Sequence, residues 1–265
     1  MGAFTIKPKV DETQEFIEIA NDFSNSLDLV REAISNSFDA RATSISIDFD
    51  VVKKYGESVL QITITDNGMG MNRAGLQAFF DLGNSLRRGD PDTIGEKGHG
   101  TKVYLSSSEI EVKTSTEGST YKAVMKDPYR KLFDREIPTV VVDQEQSQGD
   151  FRGTVITILG YNHNRRELFK HDILKDHITW FTKFGSVETA FGVDRHKNVK
   201  LRLKGLDKSE FEEIPFGHCF PTESKSIQDL FEEYLVDAPK YYCRRIVKKG
   251  QLKNFPEIHS DTTSE

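Results

Sequence analysis

The chain has 265 residues, of which 36% are hydrophobic and 29% are charged, and its formal net charge is −6. This balance suits a globular protein with a sizeable core, in one large domain or in one domain plus part of another. The net acidity argues against a surface that binds nucleic acid throughout, and no apolar run approaches the roughly 18 residues of a membrane span.

Cysteine and histidine usage shows none of the patterns of a zinc centre. Cys219 and Cys243 have no metal or redox spacing, and the seven histidines form no cluster, so a zinc site is not expected. The two cysteines make a reducing cytoplasm the expected location, or the nucleus in a eukaryote. The N-terminal residues lack the apolar stretch of a secretory signal. Residues 240–253 are basic without any acid. They fit a solvated face better than a nucleic-acid contact.

Hydrophobic periodicity predicts a helix and then a β-hairpin in the first part of the chain. Apolar residues recur at three- and four-residue steps between Asn21 and Ala40, as in an amphipathic helix. Two alternating runs, TSISIDFDVV and SVLQITITD, predict strands with one buried face. A glycine-rich polar region follows, around a short helix near residues 74–81.

Further strands and a late helix complete the predicted domain. Strands are predicted at SSEIEVKTST, STYKAVMK, TVVVD and GTVITILGY. HDILKDHITWFTKFG predicts a helix with Trp180 and Phe181 in the core, and VKLRLKGLD predicts a strand that opens a second unit. This order predicts an α+β fold with helices on one face of the sheet. The expected division is a first domain over 1–190 and a partial second unit over 191–265.

The first predicted helix has a polar side opposite its apolar side. At about 100° per residue, Glu32, Asn36 and Asp39 lie in one arc of about 60°. The arc fits the ordinary polar face of an amphipathic helix. It also fits a site for a metal-bound triphosphate, in which a carboxylate polarises water and an amide oxygen ligates Mg²⁺.

A second polar feature is ITITDNGMGMN, where Asp66 ends a predicted strand ahead of Gly68 and Gly70. Asp-Asn-Gly is ordinary turn chemistry. The same residues fit a carboxylate at the mouth of a pocket, where glycines let a flat ligand approach the backbone. Asp66 would then accept a hydrogen bond from an exocyclic amine such as that of adenine.

The third feature is GEKGHGTK, residues 95–102. Its glycine spacing is that of a P-loop, but a P-loop ends in Lys followed by Ser or Thr, and this order is reversed here. The segment also follows the glycine-containing stretch DLGNSLRRG instead of a strand. We interpret it as a lid whose backbone N–H groups bind phosphate oxygens. His99 fits a loop filler better than a ligand.

Taken in order, these segments resemble the GHKL ATPase superfamily of gyrase, heat-shock chaperone ATPases, histidine kinases and MutL. The four matching motifs are EAISNSFDA at 32–40, DNGMG at 66–70, GEKGHGTK at 95–102 and GTVITI at 153–158. The resemblance covers about residues 15–185. It implies a Bergerat-type two-layer sandwich with a mixed, mostly antiparallel sheet, followed by the start of a transducer-like region.

The resemblance implies a role for each matching residue. Glu32 matches the general base that activates water for attack on the γ-phosphate, and Asn36 matches the Mg²⁺ ligand. Asp66 matches the adenine-reading carboxylate, which Thr154 assists through a water, and Asp39 supports the site. The other residues expected to bind ATP are Ala40, Gly68, Gly70, Met71, Leu82, Gly83, Ser85, Gly95, Lys97, Gly98, His99, Gly100, Thr101 and Lys102.

The resemblance implies a slow Mg²⁺-dependent ATPase in which ATP closes the lid and forms a homodimer. The Asp39-Ala40 ending and the absence of a phosphoacceptor helix favour the hydrolysing branch over phosphotransfer to protein. Within that branch the chain is most similar to MORC-like ATPases and then to MutL, which implies a machine acting on DNA or in defence. A nucleotide-gated interaction module with negligible hydrolysis and a chaperone-like remodeller stay open as alternatives.

Overall fold

The computed structural model describes residues 5, 7, 11–21, 25–54, 56–81, 100–116, 118–146, 152–188 and 196–217. The five longer α-helices within this part of the chain are α1 (Glu12–Asn21), α2 (Asp28–Asp39), α3 (Arg73–Phe80), α4 (Pro128–Phe133) and α5 (His171–Phe181), and a sixth, four-residue helix spans Tyr161–Asn164. The strands are β1 (Ser44–Lys54), β2 (Glu57–Asp66), β3 (Glu109–Thr116), β4 (Ser119–Lys126), β5 (Val140–Gln146), β6 (Gly153–Leu159), β7 (Lys200–Lys204) and β8 (Glu212–Ile214). Two 3-10 helices span Gly100–Leu105 and Lys183–Gly185.

The strands form one eight-stranded sheet in the order β5-β4-β3-β6-β2-β1-β7-β8. Only the pair of β1 with β7 is parallel, and the other neighbouring pairs are antiparallel. The predicted α+β fold with a mixed, mostly antiparallel sheet is therefore confirmed, and the architecture is that of a Bergerat-type sandwich.

The apolar core lies against one face of this sheet. Ile47, Ile64, Ile156, Val112 and Ala123 are register partners across five adjacent strands, and all of them are buried. Their alternation with half-buried or exposed residues along each strand has the two-residue period that the sequence shows. Each fully buried isoleucine contributes about 1.5–3 kcal/mol relative to an exposed one.

Helix α2 covers this core and ends in a turn that leads the chain into β1. Its apolar side is buried, with Ile34 and Phe38 at 0% and 5% exposure. The helix ends because Arg41 takes a left-handed conformation, with φ 57°, and Ala42 N–H donates to the Ser37 carbonyl at 3.0 Å. This is the hydrogen-bond pattern of a Schellman cap. The turn sets the polar side of α2 beside the end of β2.

The predicted core position of Trp180 and Phe181 is wrong. Their side chains are 45% and 68% exposed, whereas Leu174 and Ile178 provide the fully buried apolar side of α5. Trp180 follows Ile178 by two residues, which places it about 200° around the helix from the buried side. Phe181 is the last residue of the helix and packs against the His177 ring, with centroids 5.3 Å apart.

The strand predicted near Lys200 is present as β7, and it joins the main sheet beside β1. The His171 side chain, which is 1% exposed, connects α5 to this edge of the sheet through two polar contacts. Its Nδ1 accepts a hydrogen bond from Gly205 N–H at 3.3 Å, and its Nε2 lies 2.8 Å from a Glu212 oxygen. Residues 218–265 lie outside the described residues, as does the basic stretch at 240–253. The boundary at residue 190 therefore stays a prediction.

Candidate functional site

The first two sequence motifs meet where α2 and β2 end. Met69 N–H donates to the Ala40 carbonyl, with N···O 2.9 Å. A Cβ on Gly68 would lie 2.6 Å from that oxygen, so this close approach requires glycine. Asn67 braces the junction, because its Oδ1 accepts from Thr43 N–H and its Nδ2 donates to the Thr43 hydroxyl, both at 2.9 Å. These contacts hold the end of the α2 polar side next to the end of β2.

Asp66, the last residue of β2, points to the helix-covered face of the sheet and is 7% exposed. One of its carboxylate oxygens accepts a hydrogen bond from Gly68 N–H at 2.8 Å. Burial raises the pKa of this carboxyl from 3.8 to about 6, and the backbone N–H groups of Gly68 and Thr154 lower it. A carboxylate held in this way can accept a further hydrogen bond from an amine that enters the site.

Two threonine hydroxyls continue the row of Asp66 across the sheet. Thr154 on β6 is the register partner of Asp66, and Thr114 on β3 is the partner of Thr154. Their Oγ1 atoms are 3.1 Å apart, and Thr114 Oγ1 accepts from Met71 N–H at 2.8 Å. Gly70, with φ 67°, lets this loop pass close to β3. Thr114 is not among the predicted site residues, although the alternation in SSEIEVKTST places it on the buried face.

Helix α2 presents Glu32, Asn36 and Asp39 as half-buried residues on its polar side. The Glu32 side chain is 19% exposed, and its Oε1 accepts a hydrogen bond from Arg31 Nη2 at 3.1 Å. Arg31 also pairs with Asp28 at 2.8 Å. This chain of ion pairs along one helix orients the Glu32 carboxylate. Arg31 is a neighbour of the site that the motif alone does not indicate.

The 3-10 helix Gly100–Leu105 closes the site against α2. A Cβ on Gly100 would overlap with Glu32 Oε2 and lie 3.0 Å from Glu32 Cδ. The absence of a side chain at position 100 therefore makes room for the Glu32 carboxylate. A residue of the third motif, Gly100, therefore lies against a residue of the first motif, Glu32, although the two motifs are far apart in sequence.

Thr101 and Lys102 point toward the end of α3. The Thr101 hydroxyl and Lys102 Nζ both donate to the Phe79 carbonyl, at 2.6 and 2.7 Å. Lys102 is 1% exposed, and burial lowers its pKa to about 7, against the opposing effect of the Asp81 charge. A cation at a helix C-terminus satisfies the last carbonyls of that helix. The predicted contact of these two residues with ATP stays a prediction.

Residues 95–99 of the predicted lid lie outside the described residues, as does most of the DLGNSLRRG stretch before it. This holds for seven of the residues expected to bind ATP, namely Leu82, Gly83, Ser85, Gly95, Lys97, Gly98 and His99. The described part of the site therefore consists of the α2 polar side, the end of β2, the threonine row and the 3-10 helix.

Asn36 fits the predicted role of Mg²⁺ ligand. Its Nδ2 is buried and has no hydrogen-bond partner, so no bond to a neighbouring residue locks this amide nitrogen in place. The described residues contain no group of three or more His, Cys, Asp or Glu side chains that would hold a metal ion alone. A single amide is nevertheless sufficient for Mg²⁺ bound together with a nucleotide, because this ion keeps several waters and takes its other ligands from phosphates.

Comparison with known proteins gives a family for this part of the chain. Residues 25–146 match the family described as histidine kinase-, DNA gyrase B-, and HSP90-like ATPase. No curated protein matches the chain. In the described residues, no helix has the length and apolar character needed to cross a membrane. The matched span runs from the residues before α2 through β5 and includes Glu32, Asn36, Asp66 and Gly100. This match supports the resemblance of the first three motifs to the GHKL ATPase superfamily.

Proposed function

We propose that the chain binds ATP with Mg²⁺ and hydrolyses it slowly, as a conformational switch. The observation that carries the proposal is that three elements converge on one site. Tyr104 of the 3-10 helix lies within electrostatic reach of Glu32 on α2 and Asp66 on β2. Glu32 and Asp66 therefore both lie near this one buried residue, which supports a single site with the proposed base toward one end and the proposed adenine-reading carboxylate toward the other.

The residues divide the task between the two ends of the nucleotide. Asp66 accepts the exocyclic amine of adenine, and the Thr154 hydroxyl assists it through a water. Asn36 would hold Mg²⁺, which offsets the charge of the phosphates when bound. Glu32 takes a proton from the attacking water, a contribution of about 10²–10⁴ in rate for a well-placed general base.

The decisive experiment measures phosphate release and self-association in the same preparation. The purified chain is incubated with ATP and Mg²⁺, and its mass is followed by light scattering. Release of phosphate together with ATP-dependent dimers supports a switch driven by hydrolysis. If ATP does not bind in the presence of Mg²⁺, the proposal is wrong.

A nucleotide-gated interaction module is the second candidate. It is favoured by the ion pair of Glu32 with Arg31, because Arg31 occupies one of the two carboxylate oxygens that could contact the attacking water. Dimerisation by ATP without phosphate release would select this candidate. Transfer of labelled phosphate to protein would instead indicate a kinase, and we expect none.

The finer expectations are part of the same proposal. Closure of the GEKGHGTK lid at 95–102, homodimerisation, similarity to MORC-like and MutL-like ATPases and a DNA-related or defence role follow from the resemblance of the motifs. A chaperone-like remodeller would use the same site. Binding of duplex DNA by the purified chain, with and without ATP, separates the first role from the second.

We expect Gly100→Ala to lower turnover by about 10²-fold while the protein still folds, since small displacements of a catalytic group have effects of this size. The three atoms nearest to the added methyl group all belong to the Glu32 side chain, whose flexible end can move without moving the backbone. Turnover and the thermal unfolding midpoint are measured together.

The double variant Gly100→Ala/Glu32→Gln provides the control. If both changes act through the Glu32 carboxylate, the double variant is no slower than Glu32→Gln alone. Fully additive losses, or an unfolded Gly100→Ala protein, would contradict this explanation and favour a purely structural glycine.

A further inference from the structure

Tyr104 has a hydroxyl group that the fold itself does not use. The residue is fully buried in the 3-10 helix Gly100–Leu105, and its ring stacks on Phe79 with centroids 6.0 Å apart. Its hydroxyl oxygen nevertheless has no hydrogen-bond partner among the described residues. Burying an unpaired hydroxyl is costly, so such a group calls for an explanation. Packing explains the ring, but not the hydroxyl.

A second unpaired group lies beside it. Asn36 Nδ2 is also buried without a partner. Burial raises the pKa of the Tyr104 phenol above its ordinary range, and the charge of Glu32 raises it further. The Asn36 side chain lowers this pKa because it lies close enough to act on the phenol as a hydrogen-bond donor, although the two groups do not have the geometry of a formed hydrogen bond. The phenol therefore lies among the residues of the ATP site, with the Asn36 amide next to it. Two unpaired polar groups are adjacent at the residue assigned to the metal.

We propose that Tyr104 is a positioning residue for Asn36 and that its hydroxyl oxygen accepts a hydrogen bond from Asn36 Nδ2 in the nucleotide complex. The inference rests on the proposed function, in which Asn36 ligates Mg²⁺. An amide carries its nitrogen and its oxygen on opposite sides, so donation from Nδ2 to Tyr104 leaves Oδ1 for the cation. In many metal sites, a hydrogen bond at the ligand atom that does not bind the metal fixes the orientation of the ligand side chain.

The substitution that tests the proposal is Tyr104→Phe, because it keeps the ring and removes one oxygen atom. In the ligand-free protein this oxygen has no partner to lose, so the thermal unfolding midpoint should not fall. ATP binding in the presence of a chelator should equal that of the wild type, because Tyr104 acts only through the metal ligand. The Mg²⁺ concentration that half-saturates its effect on ATP binding should rise about three- to tenfold, as expected for one hydrogen bond.

The matched control is Tyr161→Phe, which changes another buried tyrosine, 2% exposed, that the proposal does not involve. Its Mg²⁺ midpoint should stay at the wild-type value. If Tyr104→Phe also has the wild-type midpoint, the inference is wrong and the proposed ATPase stands. A lower unfolding midpoint for Tyr104→Phe would make the hydroxyl structural and would overturn the inference too. If the wild-type chain does not bind ATP with Mg²⁺, both proposals fail.

Discussion

Glu32→Ala is expected to lower ATP turnover by about 10²–10⁴-fold, the range for loss of a general base, while ATP still binds. Glu32 lies on α2, away from the Asp66 end of the site, and is held by Arg31 on one oxygen. Its removal therefore leaves Asp66, the proposed contact of adenine, and the Asn36 amide in place. Turnover is measured as phosphate release, and binding is measured by calorimetry at saturating Mg²⁺.

Two further variants show whether the loss reflects proton transfer. Glu32→Gln keeps the shape that fits against Gly100 but cannot take a proton, so it should be as slow as Glu32→Ala. Glu136→Ala, at an exposed position outside the site, should have wild-type turnover. Wild-type turnover in either Glu32 variant would show that the assigned base is wrong.

Asp66→Asn is expected to weaken ATP binding by about 10²–10³-fold, which corresponds to about 3–4 kcal/mol. The asparagine oxygen can still accept the hydrogen bond from Gly68 N–H, so the fold should persist. The variant loses the charged acceptor for the adenine amine, and its own amide can face that amine donor to donor. Discrimination against GTP should fall as well, because guanine has a carbonyl oxygen where adenine has the amine.

The pH dependence gives an independent control for Asp66. The pKa of this carboxyl is about 6 in the folded protein, compared with an ordinary 3.8, so ATP affinity in the wild type should fall as the pH drops below about 6. The same raised pKa gives stability that is complete below pH 3.8 and lost as the pH rises through 6, about 3 kcal/mol in all. Both dependences should be weaker in Asp66→Asn.

Asp143→Asn is the matched control, since Asp143 is an exposed strand residue on β5. It should keep ATP affinity, nucleotide preference and pH dependence. If Asp66→Asn binds ATP as tightly as the wild type, Asp66 is a turn residue and the adenine contact must be sought elsewhere.

Local patterns predicted the strands better than the ends of the helices. The alternation in SVLQITITD and GTVITILGY predicts β2 and β6, and both strands occur there because every second side chain packs on one buried face. The helix predicted from Asn21 to Ala40 is shorter, with α2 starting at Asp28. Asn21 instead ends α1.

Which side chains are buried at the end of a helix is harder to predict from the sequence than where a strand lies. The aromatic character of Trp180 and Phe181 suggests core, but their exposure of 45% and 68% shows otherwise. Leu174 and Ile178, which are both fully buried, already form the buried side of α5. Residue type alone does not show where the covered surface of a domain ends.

The sequence by itself determined which chemical groups the site has and which element carries each one. Glu32 and Asn36 share one side of α2 because of the helical repeat, and Asp66 ends β2 because the strand alternation stops at Asn67-Gly68. Only the tertiary structure decided how these groups meet. The contact of Gly100 with Glu32, the pairing of Thr114 with Thr154 and the burial of Tyr104 beside Asn36 join residues that are distant in the chain. The raised pKa of Asp66 also comes from burial by other elements, since desolvation depends on what covers a group and not on its neighbours in sequence.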